Sequence, residues 1–211
     1  MRILAIRGAN LASLADEFEI DLAAEPLASA GLFAITGATG AGKSTLLDAM
    51  CAALFSATPR LEGRSTFKVG HDRDGQVGAA DVRSLLRRTA GAGWAEVDFE
   101  GRDRRRYRAR WAVRRAHGRP GGAFQDPETS LVRLDDGARL GGTRRETQRA
   151  IEDALGLTFD QFRRSALLAQ GDFAAFLRAD PGERAALLER MTGTALYGAL
   201  SKRTHERATE L

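Results

Sequence analysis

Cysteine is almost missing from this chain: Cys51 stands alone among 211 residues, which excludes an intramolecular disulfide framework. Set in an apolar run, it is expected to act as a small buried hydrophobe. Lysine is nearly as scarce, at Lys43, Lys68 and Lys202 only, so the positive charge is carried by arginine. A GC-rich coding sequence gives the same bias, and a net charge of +4 selects no partner by itself. No stretch approaches the ~18 consecutive apolar residues of a membrane helix. The start, Met1 to Arg7, regains charge too quickly for a secretory signal. The expectation is a soluble, cytoplasmic protein without a membrane partner. Charged residues make up 28% and apolar ones 43%, which excludes fibrous and fully disordered chains.

What is present begins with strands. Residues 2–7 read as a short strand, and Phe18, Ile20 and Leu22 alternate with Glu19 and Asp21 as a strand with one wet face would. Gly31-Leu32-Phe33-Ala34-Ile35-Thr36 is a continuous apolar run, expected to be a buried central strand. A glycine-rich turn follows, then an apolar segment from Lys43 to Phe55 that predicts a buried helix ending before Pro59. Residues 62–93, rich in Gly, Arg and Asp, predict a flexible surface insertion. Ala95, Val97 and Phe99, then Tyr107, Ala109, Trp111 and Val113, alternate with charged residues and predict a hairpin, acidic on one outer edge and basic on the other. Residues 130–140 predict a further strand pair around Asp135-Asp136-Gly137. Three capping boxes, Thr143 to Glu146, Thr158 to Gln161 and Asp180 to Glu183, mark helix starts, and Gly156 marks a stop. A last helical pattern from Thr194 runs to Leu211 without a stop signal, as in a cut fragment.

Residues 37–45, Gly-Ala-Thr-Gly-Ala-Gly-Lys-Ser-Thr, match G-x-x-x-x-G-K-[ST] in full, between an apolar run and a helix. Glycines let the backbone curl so that N–H groups from Gly40 to Ser44 face phosphate oxygens, and the helix start adds partial positive charge. Lys43 supplies a point charge for the β- and γ-phosphates, and Ser44 a hydroxyl for Mg²⁺. Binding is not hydrolysis, which needs an apolar strand ending in aspartate. The closest string, Leu131 to Asp136, is interrupted by Arg133 and turned by Gly137. The nucleotide site is therefore half built.

The segments Asn10 to Leu14, Gly31 to Thr45 and Leu46 to Met50 closely resemble the SbcC family, SMC-like relatives of the ABC-type ATPases. The likeness continues in Thr58 to Leu61 and Tyr107 to Trp111, is strongest from Arg164 to Leu177, and runs on through Glu183 to Glu189 and Thr192 to Thr194. The resemblance implies an α/β P-loop NTPase fold, the N-terminal lobe of a split ATPase head over residues 1–193, with an antiparallel strand layer and a coiled-coil start over 194–211. It implies ATP and Mg²⁺ as cofactors, with Thr39, Gly40, Ala41, Gly42, Lys43, Ser44 and Thr45 around the nucleotide. Gln170 matches the family's Q-loop glutamine, beside Mg²⁺ and the attacking water. Ala12 stands where many relatives carry arginine, which puts base or ribose contacts there in doubt; Thr39 replaces a common asparagine but keeps a hydroxyl.

The implied partners are a C-terminal lobe of the same protein that completes the site, a second head engaged on ATP binding, an SbcD-like nuclease subunit, and double-stranded DNA. Such a complex would be nucleoid-associated and act on double-strand ends and hairpins. Between Arg102 and Arg119 lie nine arginines and one acidic residue, and Arg106, Arg108 and Arg110 are the candidate DNA contacts. Two other readings stay open: a free-standing P-loop small-molecule kinase or NTPase using Asp135 or Asp136 as metal ligand, and a DNA-binding lobe whose P-loop stays empty.

Overall fold

In a computed structural model, the described residues are 1–59, 68–69, 77–78, 80–165, 180, 203 and 207. They fall in two units, Met1–Gly156 and Leu157–Leu211.

The first unit is built on an antiparallel sheet of six strands. These are β1 (Arg2–Ala9), β2 (Phe18–Asp21), β5 (Ala92–Glu100), β6 (Arg106–Arg114), β7 (Glu128–Arg133) and β8 (Arg139–Leu140), in the order β2-β1-β5-β6-β7-β8. Two short strands, β3 (Lys68–Val69) and β4 (Val77–Gly78), pair separately. Alternation decides the faces, because successive strand side chains point to opposite sides. Ala95, Val97 and Phe99 of β5, Ala109 and Trp111 of β6 and Leu131 of β7 are fully buried on the inner face. Against this sheet packs α1 (Lys43–Phe55), whose Ala49 to Phe55 are all buried. Helix α2 (Arg144–Leu155) packs on α1 and β7.

The expected hairpins, α1 and α2 form. Thr143 and Glu146 make the capping box, Glu146 Oε2 accepting from the N–H groups of Gly142 and Thr143 at 2.9 Å, and Gly156 closes the helix at φ 74°. In the second unit, α3 (Phe159–Ser165) starts at the Thr158–Gln161 box, with the Thr158 N–H donating to Gln161 Oε1 at 2.9 Å. The third box, apart from Asp180, and the pattern from Thr194, apart from Arg203 and Arg207, lie outside the described residues.

Two expectations are corrected. Residues 31–36 form no strand: Leu32 is 92% exposed, and Phe33 and Ile35 nearly half exposed. A fully apolar strand needs neighbours on both edges and cover on both faces, and no strand among the described residues pairs with this run. Nor is all of the stretch 62–93 an insertion on the surface: its described residues 82–86 pack into the body. Val82–Leu85 is a 3-10 turn opened by Asp81, whose carboxylate accepts from the Arg83 N–H at 2.9 Å. Its Val82 and Leu85, with Leu86 beyond, are buried, and apolar burial holds this stretch to the body.

Candidate functional site

The loop 37–45 stands as a cradle at the start of α1. Gly42 is the N-cap at φ 97° and Gly40 lies at φ 85°, left-handed backbone that glycine alone adopts without strain. No side chain caps the helix and its first turn carries no acid, so the positive end of the peptide dipoles is left for an anion. A Cβ placed on Gly40 would meet nothing within 4 Å, so the loop's outer side is open, whereas on Gly42 it would lie 2.5 Å from Leu14 Cδ2. Thr39, Gly40, Ala41 and Ser44 are exposed, Lys43 half-buried, and Gly42 and Thr45 buried. The Lys43 ammonium donates to the carbonyls of Gly37 at 2.7 Å and Ala38 at 2.9 Å. The Ala41 N–H also goes to Ala38 at 3.1 Å, one donor fewer for a ligand than the spacing suggests. A polyphosphate would draw Lys43 off these neutral carbonyls, because an ionised acceptor forms the stronger bond.

Behind the loop stands a tight turn in which Leu11 and Leu14 exchange backbone hydrogen bonds of 2.9 and 2.8 Å. Ser13 Oγ lies 3.4 Å from Thr45 Oγ1. Ala12, in this turn, has φ 45°. Its N–H donates to Leu85, and Arg87 donates to the carbonyls of Ala12 and Ser13. The sequence reading of 62–93 as insertion missed Leu85 and Arg87; the signal was Asp81 followed by Val82, Leu85 and Leu86 at helical spacing.

Gln170 lies outside the described residues. Asp135 and Asp136 are described and belong to the β7–β8 turn. Asp136 is gripped by Arg133 at 2.6 Å and accepts from the Ala138 N–H, which together hold its carboxyl at about 2. Asp135 accepts from the Arg106 backbone at 3.3 Å. These are the contacts of a hairpin end, and they stand against Asp135 or Asp136 as a metal ligand. No group of three or more His, Cys, Asp or Glu suited to a metal ion occurs among the described residues.

The arginines of β6 do not form an edge of their own. The register sets Glu96 opposite Arg110, Asp98 opposite Arg108 and Glu100 opposite Arg106, so acid and base share one outward face instead of separate edges. Arg108 donates to both oxygens of Asp98 at 2.6 and 2.7 Å, and Arg7 reaches the same carboxylate at 2.8 Å. Arg110 lies 3.2 Å from Glu96 and 4.4 Å over the Trp94 ring, and Arg7 also holds Glu19 at 2.7 Å. Three arginines thus meet three carboxylates. Burial opposes ionisation of Asp98, and the bonds from Arg108 and Arg7 together outweigh it, holding its carboxyl below the usual range. Arg106 is more loosely held, 3.5 Å from Asp135.

An uncapped, glycine-built cradle of this kind on an α/β scaffold agrees with what the chain matches. The family described as an AAA domain matches residues 5–205. The chain belongs to that family. It is 53% identical over 98% of its length to the SbcC subunit of the nuclease SbcCD from Rhodobacter capsulatus, and 52% identical over its whole length to the protein of that name from Pseudomonas aeruginosa. A Methanopyrus kandleri protein named DNA double-strand break repair Rad50 ATPase is 29% identical over 83% of this AAA-domain chain. The chain spans only 17% of the length of each of the first two relatives. Among its described residues, no helix is long and apolar enough to cross a membrane.

Proposed function

We propose that the chain is the ATP-binding lobe of an SMC-like DNA-repair ATPase. ATP is held on loop 37–45, with Lys43 on the β- and γ-phosphates and Thr39 to Thr45 around them. Mg²⁺ at Ser44 and Gln170 would neutralise phosphate charge. The observation that carries the reading is the contrast on either side of Lys43: a cradle with an uncapped helix start, and before it an apolar run left bare, with Leu32 92% exposed. Bare apolar surface of this kind marks a contact surface. A second lobe of the same protein would cover the 31–36 run and supply the acidic strand that hydrolysis needs. Among the described residues no acid pairs with Lys43, whose ammonium is held by carbonyls, and Asp135 and Asp136 are held elsewhere.

ATP would then draw two such heads together, and the engaged and released states would control an SbcD-like nuclease subunit acting on double-strand ends and hairpins. The nuclease metals would belong to that partner. Duplex DNA stays in this reading as the substrate of the assembly, without Arg108 and Arg110 as free phosphate contacts. A titration with Mg-ATP tests the cradle: the wild type binds, and Lys43→Ala binds about a hundredfold more weakly. Equal binding by both would end the reading.

A further inference from the structure

We infer that Arg87 is a positioning residue for the triphosphate cradle, acting through the 10–14 turn; the inference rests on the reading of 37–45 as a nucleotide site. The turn is strained, since neither Asn10 at φ 57° nor Ala12 at φ 45° is glycine, and such backbone persists only where its surroundings hold it. The hold comes from one short segment. The Arg87 guanidinium donates to the carbonyls of Ala12 and Ser13, both at 3.2 Å, and to Thr89 Oγ1 at 3.2 Å. The Arg87 N–H donates to Asn10 at 2.9 Å, and the Ala12 N–H to Leu85 at 2.8 Å. Leu11 and Leu86, which pair across this seam, are both buried.

The other side of the turn bears on the cradle. Leu14 closes on Gly42, and Ser13 Oγ lies 3.4 Å from Thr45 Oγ1. These contacts bracket Lys43 and Ser44, the two side chains meant for phosphate and magnesium. A planar fork that bridges two carbonyls and a hydroxyl fixes the turn in a way a lysine ammonium does not. The hydrogen bonds of Arg87 go to the turn and to Thr89, so its effect on the loop is one of placement.

The test compares Mg-ATP affinity in wild type, Lys43→Ala, Arg87→Ala and Arg87→Lys, with the folded fraction of each followed by circular dichroism at the same temperature. We expect Arg87→Ala to bind about tenfold more weakly, Arg87→Lys to recover part of that loss, and both to be fully folded at the assay temperature. Should Arg87→Ala not fold, Arg87→Lys decides alone, with a loss of about threefold expected. Affinity equal to wild type in the deciding variant overturns the inference, as does a loss no larger than the fall in folded fraction. If Lys43→Ala binds as wild type does, the nucleotide reading itself has failed, and that result is distinct from an Arg87 effect of zero beside a Lys43 effect.

Discussion

The phosphate loop and the outward face of the sheet both gather positive charge, yet they stand in opposite conditions. On the sheet, Arg7, Arg108 and Arg110 are matched by Glu19, Glu96 and Asp98, with Arg108 and Asp98 as close as 2.6 Å. In the loop, one lysine rests on neutral carbonyls at an uncapped helix start. On the proposed reading the region with fewer cations is the better anion site, because what counts is charge left over after strand register has paired the rest. Pairing of this kind also orders the side chains, which a phosphate backbone would have to compete against.

The sharpest way to break the comparison is to exchange a cation from each region. Lys43→Ala should weaken Mg-ATP binding about a hundredfold, whereas Arg110→Ala should leave it unchanged in the same titration. Equal losses would mean the two regions are not distinct. Next comes the loop's backbone. Gly42→Ala forces a side chain at φ 97° against Leu14 and should lower stability in urea by about 2–3 kcal/mol, with nucleotide binding lost as well.

On the sheet, Asp98→Asn should cost about 2 kcal/mol, since Asp98 is buried and accepts from two guanidinium groups. It should also raise binding to duplex DNA and steepen its salt dependence, because Arg7 and Arg108 lose a counter-charge. Unchanged DNA binding would show that the face is silent for another reason. The same carboxylate sets a pH dependence. Its folded form titrates below the ordinary ~3.9 of unfolded aspartate. Its contribution is therefore present above that value and is lost as pH falls through the lower folded pKa. Acid unfolding below about pH 4 should be steeper in wild type than in Asp98→Asn. Smallest of all, Arg106→Glu should change stability by less than about 1 kcal/mol, its ion pair with Asp135 being exposed and 3.5 Å long.

Local signals survived into the structure where one segment carried the whole cause. The Thr143–Glu146 box, the Gly156 stop, the β5–β6 alternation and the loop 37–45 each depend on neighbours within a few residues, and all were legible. The run 31–36 misled because apolarity says that a segment seeks cover without saying what covers it. Leu85, Leu86 and Arg87 were hidden in a Gly- and Arg-rich stretch, since their value comes from the distant Asn10 to Leu14 turn. The separate acidic and basic edges were misplaced for a related reason: alternation within β5 and β6 does not show the register that sets Glu96 against Arg110 and Asp98 against Arg108.

The central claim is that loop 37–45 can hold a triphosphate but cannot turn it over until another segment closes on it. Steady-state Mg-ATP hydrolysis, measured for this chain alone and again with the proposed second lobe added, tests it most directly. Negligible turnover alone, with Lys43-dependent turnover on adding the second lobe, is the predicted result; Lys43-dependent turnover of about 1 s⁻¹ or more by this chain alone, an ordinary enzyme rate, would contradict it.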